Sequence, residues 1–287
     1  MVNGENLKAK KNSKNGNGKQ NGKQNGEKKS NNNSAEQVKT VNSFDTETKN
    51  NAGSDKRKPI IELVHVNKSF QVGKNLIPVL KDINVKIYER EFIIILGPSG
   101  SGKSTLLNTL LGLEYPTSGK VIIRGEDITK KSPNKLAKFR YNNFGIIFQK
   151  ADWIRSLNVL QNVVLPLAIN NISKKERLEK AWYRLREMGV DDHANYAPTS
   201  LSGGQQQKVC VARALTSNPP ILVADEPTGN LDTESATKVM EFFKNLNERL
   251  RKTLLMVTHN IDYVTYGSRT IYIRDGKIVE GSNSFKA

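Results

Sequence analysis

Apolar positions are sparse over the first fifth of the chain and then arrive in short, regular groups. Residues 1–57 are dominated by Asn, Lys, Gly, Gln and Ser, with passages such as Lys14-Asn-Gly-Asn-Gly-Lys-Gln-Asn-Gly-Lys23 in which nothing recurs at a strand or helix period. Such a stretch buries too little apolar surface to offset the entropy of ordering, and disorder is expected. The pattern changes near Pro59. Ile60-Ile-Glu-Leu-Val-His-Val66 reads as a strand, and after a loop around Gly73 the group Pro78-Val-Leu80 with alternating Ile83, Val85 and Ile87 reads as a second. Strand, turn and strand predict an antiparallel β-layer. Phe92–Leu96 is a continuous apolar run leading through a glycine-rich loop into a helix that carries Leu106, Leu107, Leu110 and Leu111.

Further along, the turn Pro116-Thr-Ser-Gly119 precedes a strand at Lys120-Val-Ile-Ile-Arg124. Lys130, Lys131, Lys135, Lys138 and Arg140 then read as one solvated helix face; nucleic-acid binding is the sharper alternative, and charge alone supports it weakly. Phe144-Gly-Ile-Ile-Phe148 is a short buried strand ending at Gln149. From Ser173 the period becomes helical, with Leu178, Ala181, Trp182, Leu185 and Met188 on one face and Ser173 and Glu176 at capping-box spacing. A helical layer over about 150–207 follows from this. Leu201-Ser-Gly-Gly-Gln-Gln-Gln-Lys-Val209 opens another helix, reaching to about Ser217. The strand Ile221-Leu-Val-Ala-Asp225-Glu226, a helix with Ala236, Val239, Met240, Phe243 and Leu246 inward, and the strand Thr253–Val257 before His259 come next. Thr270–Ile273 and Lys277–Val279 flank the hairpin pair Asp275-Gly276. This alternation predicts an α/β domain over 58–287 with a mainly parallel central sheet.

Composition narrows the picture. The chain has 287 residues and a formal charge of +17, but residues 1–58 hold 13 Lys+Arg against 6 Asp+Glu, which leaves a surplus of ten for the rest. A domain that basic suits nucleotides, anionic headgroups or nucleic acid without choosing among them. Cys210 is the single cysteine, so neither an internal disulfide nor a cysteine-based zinc site can form, and a cytosolic setting is expected. No apolar run approaches the ~20 residues that span a bilayer, and no signal-peptide h-region opens the chain. The tail reads as a solvated extension, or as a tether to anionic lipid with its lysines diluted by Asn and Gly.

The chemistry centres on Gly97-Pro98-Ser99-Gly100-Ser101-Gly102-Lys103-Ser104-Thr105. Its G-x-x-x-x-G-K-[ST] spacing between a strand and a helix is that of a P-loop, in which backbone N–H groups curl around phosphate at a helix N-terminus. Lys103 is expected to reach the β- and γ-phosphates and Ser104 to hold Mg²⁺. Asp225 and Glu226 stand at the C-terminal end of a strand, where open α/β sheets bind ligands. Gly203 and Gly204, at a helix start, offer free N–H groups to an anion. Phe70 is the aromatic expected to stack on adenine, with a core phenylalanine as the plainer reading.

Taken in order, the P-loop, Gln149, Leu201-Ser-Gly-Gly-Gln205, Asp225-Glu226 and His259 resemble the nucleotide-binding subunit of an ATP-binding-cassette transporter. The likeness covers nearly all of residues 60–280. Gly97–Asn108 and Ala224-Asp-Glu-Pro-Thr-Gly-Asn-Leu-Asp232 are similar to the branch that works with macrolide-export, lipoprotein-release and division-associated membrane subunits. The resemblance implies ATP and Mg²⁺ as ligands. It implies that Gln149 touches Mg²⁺ and the attacking water and senses the γ-phosphate, that Asp225 supports Mg²⁺, that Glu226 polarises water and that His259 contacts the γ-phosphate. It further implies that Ser202, Gly203, Gly204 and Gln205 form the signature that meets ATP held by a second subunit, with Asp232 at the dimer seam. Membrane permease subunits are then the other partners, at the cytoplasmic face of the membrane, with no direct role for nucleic acid.

Arg90 stands where that family usually has Gly, Lys208 where Arg is common, and Asn158-Val-Leu-Gln-Asn162 replaces Thr-Val-x-Glu-Asn, placing less charge at the expected permease contact. Trp153, Ile154, Leu157, Val159 and Leu160 are too many large apolar groups for a free loop; half are expected in the core and the others in a cleft facing the permease. The function expected is an ATPase subunit that dimerises on ATP and drives a separate permease in export or lipoprotein release. The rivals are a mechanotransmission ATPase that moves no substrate, and a soluble ATPase of nucleic acid or translation, which usually carries two cassettes, a coiled-coil insertion or a zinc site.

Overall fold

The computed structural model, which describes residues 58–149, 152–170, 172–229 and 231–279, contains two sheets of different character. The tail expected over 1–57 lies outside the described residues. β1 (Pro59–Val72) and β2 (Asn75–Tyr88) form a long antiparallel hairpin, joined on the β1 side by β4 (Ser118–Ile123) and then β5 (Glu126–Asp127), in the order β2-β1-β4-β5. Of the alternating β2 residues expected to face inward, Ile83 and Ile87 are buried and Val85 packs partly buried beside them, and Ile61, Leu63, Val121 and Ile123 join the same core.

The second sheet runs β10-β9-β3-β8-β7-β6. β3 (Phe92–Leu96), β6 (Phe144–Ile147), β7 (Ile221–Asp225), β8 (Thr253–Thr258) and β9 (Arg269–Arg274) pair in parallel, and β10 (Lys277–Val279) turns back antiparallel on β9. β3 and β8 are buried at every position, which explains why they read as continuous apolar runs instead of alternating ones. Period two still operates within β3. Ile93 and Ile95 enter one core with the antiparallel layer and α1 (Lys103–Leu110), whereas Phe92, Ile94 and Leu96 enter a second core with the helical layer. Among the described residues β6 is an edge strand, bonded to β7 alone.

The helical layer comprises α3 (Val159–Ala168), α4 (Lys174–Glu187) and α5 (Gly203–Leu215). α4 is capped by the predicted Ser173, whose Oγ accepts the Glu176 N–H at 3.3 Å; of the face expected to be apolar, Ala181, Leu185 and the capping Met188 are buried, and Leu178 and Trp182 are half-buried. At the head of α3 the Asn158 side chain accepts from Gln161 N at 2.8 Å and the Gln161 side chain from Asn158 N at 2.9 Å. The uncharged Asn/Gln pair thus builds a reciprocal cap. α2 (Pro133–Asn143) carries part of the basic run. Lys135 and Lys138 are exposed as expected, but Lys131 lies before the helix, paired with Glu126, and Arg140 donates to the Gly112 carbonyl at 2.9 Å. Completing the fold is α6 (Thr233–Glu248), with Ala236, Val239, Met240, Phe243 and Leu246 inward as predicted. No helix among the described residues is long and apolar enough to cross a membrane.

Candidate active site

The loop between β3 and α1 is held by its neighbours before any ligand is considered. A Cβ on Gly97 would fall 2.2 Å from the Ile273 carbonyl oxygen and 2.7 Å from Ser101 Oγ, so only glycine lets β3 leave the sheet so close to β9. The Lys103 ammonium is buried and donates to the Gly97 and Pro98 carbonyls, both at 2.8 Å. Burial holds its pKa below the usual lysine value, while the charges of Glu226 and Asp225 act the other way. Ser99, Gly100, Gly102, Lys103, Ser104 and Thr105 line a cleft of about 540 Å³ whose far walls are Val79, Glu226 and His259.

β7 delivers Asp225 beside this loop. Its carboxyl is held above the usual range first by burial and then by the Glu226 charge; a hydrogen bond with Ser104 and the Lys103 charge oppose the rise. An excess of negative charge among oxygen donors is what a hard divalent cation relieves, and the Asp225 carboxylate with the Ser104 hydroxyl fits the Mg²⁺ donor set. Among the described residues no three His, Cys, Asp or Glu are arranged to hold a metal ion by themselves, so such an ion would share its coordination with phosphate and water.

Glu226 follows in a left-handed conformation, φ 43°, its N–H donating to the Val257 carbonyl at 2.9 Å. That backbone is strained for a side chain with a Cβ, at a cost on the order of 1–2 kcal/mol. There its two oxygens meet two groups from other elements: Gln149 Nε2, just past β6, donates to Oε2 at 3.3 Å, and His259 Nδ1, just past β8, lies 2.9 Å from Oε1 and donates to it. A second cleft, of about 530 Å³, opens behind this trio toward Thr228, Thr258 and Tyr263, so Glu226 and His259 form the wall between two cavities.

The remaining predicted residues lie elsewhere. Ser202 caps α5, and Ser202, Gly204 and Gln205 line a separate cleft of about 430 Å³ with Lys208 and the α6 residues Ser235 and Lys238; none of them, nor Gly203, lines the loop cleft. Asp232 caps α6, accepting the Ser235 N–H at 2.9 Å, and this bond chiefly holds its carboxyl below the usual range. Phe70 is half-buried on β1, its ring 4.7 Å from the Lys68 ammonium, and is not among the loop-cleft residues.

Two residues were missed by sequence reasoning. Val79 walls the cleft, and Gly276, read only as a turn residue, braces the loop: its N–H donates to the Ser101 carbonyl at 3.1 Å and its carbonyl accepts from Lys81 at 2.8 Å. A Cβ there would sit 2.2 Å from the Val79 oxygen. The Asp275-Gly276 pair announced a turn, and nothing local announced what the turn touches.

A phosphate loop, a strand-end carboxylate pair and a mainly parallel sheet define a P-loop ATPase. Residues 80–229 match the family model described as ABC transporter. An uncharacterised ABC transporter ATP-binding protein of Thermotoga maritima is 42% identical over 221 residues, covering 77% of this chain and 94% of that one. The lipoprotein-releasing system ATP-binding protein LolD of Wigglesworthia glossinidia brevipalpis is 40% identical over 219 residues, covering 76% and 96%. The dimeric post-hydrolysis structure of the ATP-binding cassette MJ0796, bound to ADP and Pi, from Methanocaldococcus jannaschii, superposes with a TM-score of 0.72 at 41% identity, covering 77% of this chain and 97% of that chain. The chain belongs to the ABC transporter family, and it is one of the family's ATP-binding, ATP-hydrolysing subunits.

Proposed function

We propose that the protein works as an ATP-closed dimer that drives a separate membrane permease, in export or lipoprotein release, from the cytoplasmic face of the membrane. One observation carries this reading: within a single chain the loop, Asp225, Glu226, Gln149 and His259 converge, while Ser202, Gly203, Gly204 and Gln205 stand outside that cleft. A second subunit turned head to tail completes each cleft with its signature. The dimeric form of the MJ0796 cassette and the likeness to a lipoprotein-release ATPase support the same reading.

In this proposal the P-loop N–H groups hold the phosphates and Lys103 exchanges its two carbonyl partners for β- and γ-oxygens. Ser104, Asp225 and Gln149 would hold Mg²⁺, which would neutralise charge on the phosphates. Glu226 accepts a proton from water as the water oxygen bonds to the γ-phosphorus and the bond to the bridging oxygen breaks, leaving ADP and phosphate. Glu226 bonds to Gln149 and His259, so both can reorient it when the γ-phosphate arrives. Asp232 sits at the dimer seam, and Phe70 takes the adenine face.

The test is Glu226→Gln. ATP binding should persist, turnover should fall by about 10²–10⁴, and ATP-bound dimers should accumulate on size exclusion. Turnover within a few-fold of the parent would remove Glu226 from this role; a monomer at saturating ATP would remove the shared site.

A further inference from the structure

The turn that opens α5 is closed by a reciprocal pair. Ser202 Oγ accepts from the Gln205 N–H at 3.3 Å, and Gln205 Oε1 accepts from the Ser202 N–H at 2.9 Å. A backbone N–H only donates, so the second bond fixes which end of the Gln205 amide faces the backbone: the oxygen. The amide nitrogen therefore points away, and it lies 3.0 Å from His193 Nε2. An amide nitrogen also only donates, so Nε2 of His193 must accept and the ring proton must reside on Nδ1. Nδ1 is buried and has no hydrogen-bond partner, so the Gln205 amide alone holds the proton on Nδ1, against the cost of a buried unpaired N–H.

The ring is set by its own surroundings. His193 ends the 3-10 turn Asp191–His193, its N–H donates to the Val190 carbonyl at 3.2 Å, and its ring meets Tyr196 edge-on with centroids 5.4 Å apart. We propose that His193 is a positioning residue for the signature: a neutral ring protonated on Nδ1 holds the Gln205 amide in the one orientation that keeps Ser202 capped. Turning either group over breaks the chain of bonds. A ring protonated on Nε2 sets N–H against N–H at 3.0 Å, and an inverted amide sets its NH₂ against the Ser202 N–H. The inference rests on the proposal that the signature meets the partner's ATP, because only then does the orientation of Ser202 govern closure.

The chain has three histidines, so ¹⁵N-histidine labelling gives three separable rings, and His193→Gln identifies the signal of interest by its loss. Two-bond ¹H–¹⁵N correlation of the intact protein should find the His193 proton on Nδ1; a ring protonated on Nε2 overturns the proposal. A second arm measures ATP-driven dimerisation in the Glu226→Gln background. His193→Phe should raise the ATP concentration needed for dimerisation about tenfold, with monomer ATP affinity unchanged. His193→Gln, whose side-chain oxygen reaches about as far as Nε2 and accepts, should restore it to within about twofold. A Phe variant that dimerises like its parent rejects the positioning role. Gly204→Asp separates the two ideas: if it too dimerises normally, the shared-site reading has failed and the ring tautomer alone decides the His193 assignment.

Discussion

At Gly97 a single methyl group decides whether the phosphate loop can form. The carbonyl it would strike belongs to Ile273 in β9, a strand bonded to β3, so neither side can retreat without opening the sheet. Gly97→Ala should lose about 1–3 kcal/mol of stability, as overpacked sites do, and at least about tenfold in ATP affinity. Chemical denaturation and titration with a fluorescent ATP analogue measure the two separately; unchanged affinity would mean that β9 yields. The glycine itself was legible from motif spacing, whereas the braces around it were not. Gly276 and Val79 are close because the β9–β10 turn meets β2, and no period in the sequence records such a meeting of distant segments. Arg90 was visible as a departure from the usual glycine; its φ of 69° supplies the reason, since the turn into β3 is left-handed.

At the scale of elements, the strands and amphipathic helices were readable because burial imposes a period, and the segment 152–158 was readable only in part because its order comes from side-chain bonds. Asn162, fully buried, accepts the Ile154 N–H at 3.0 Å through Oδ1 and donates through Nδ2 to the carbonyls of Ile154, Leu157 and Asn158. Trp153 is pinned to α5: its Nε1 donates to Gln206 Oε1 at 3.0 Å, and the Arg213 guanidinium lies 4.9 Å from the ring centroid while donating to the Asp152 carbonyl. The five apolar residues of this segment therefore divide. Val159 is core, Trp153 and Leu160 pack partly against it, Leu157 is half-buried, and Ile154 is 42% exposed. Trp153→Ser should lower the melting temperature by about 4–10 °C, the effect of losing ~2–3 kcal/mol of packing in a domain this size. Ile154→Ser should shift it by no more than about 2 °C, yet weaken co-purification with the proposed permease partner. Full retention of the complex by the Ile154 variant would place the coupling surface elsewhere.

For the whole molecule, Cys210 offers a probe of global opening. Burial pushes its thiol from the usual 9.0 up to about 11, so the native state holds that proton more tightly than the unfolded chain does. Stability from this difference is complete below about pH 9 and is lost as pH climbs toward 11. The denaturation midpoint should fall across that window, more than in Cys210→Ala, and near pH 8 a thiol reagent should label the protein only as fast as it unfolds. Rapid labelling of the folded protein would contradict the burial argument. The α/β class and the converging strand ends were legible in the chain, because apolar runs alternate with helical periods. Sheet order was not, since parallel neighbours are brought together by crossovers whose length says little about which strands they join. That order has a mechanical meaning. Of the groups proposed for the chemistry, Asp225 ends β7 and Glu226 follows it, and Lys103 lies beyond β3; both strands are bonded on both sides, and shifting Asp225 means tearing a ladder. Gln149, proposed to sense the γ-phosphate, leaves a marginal strand that among the described residues is tied on one side only. The sheet is thus stiff where bonds are to be made and broken, and compliant at the margin from which a signal must travel.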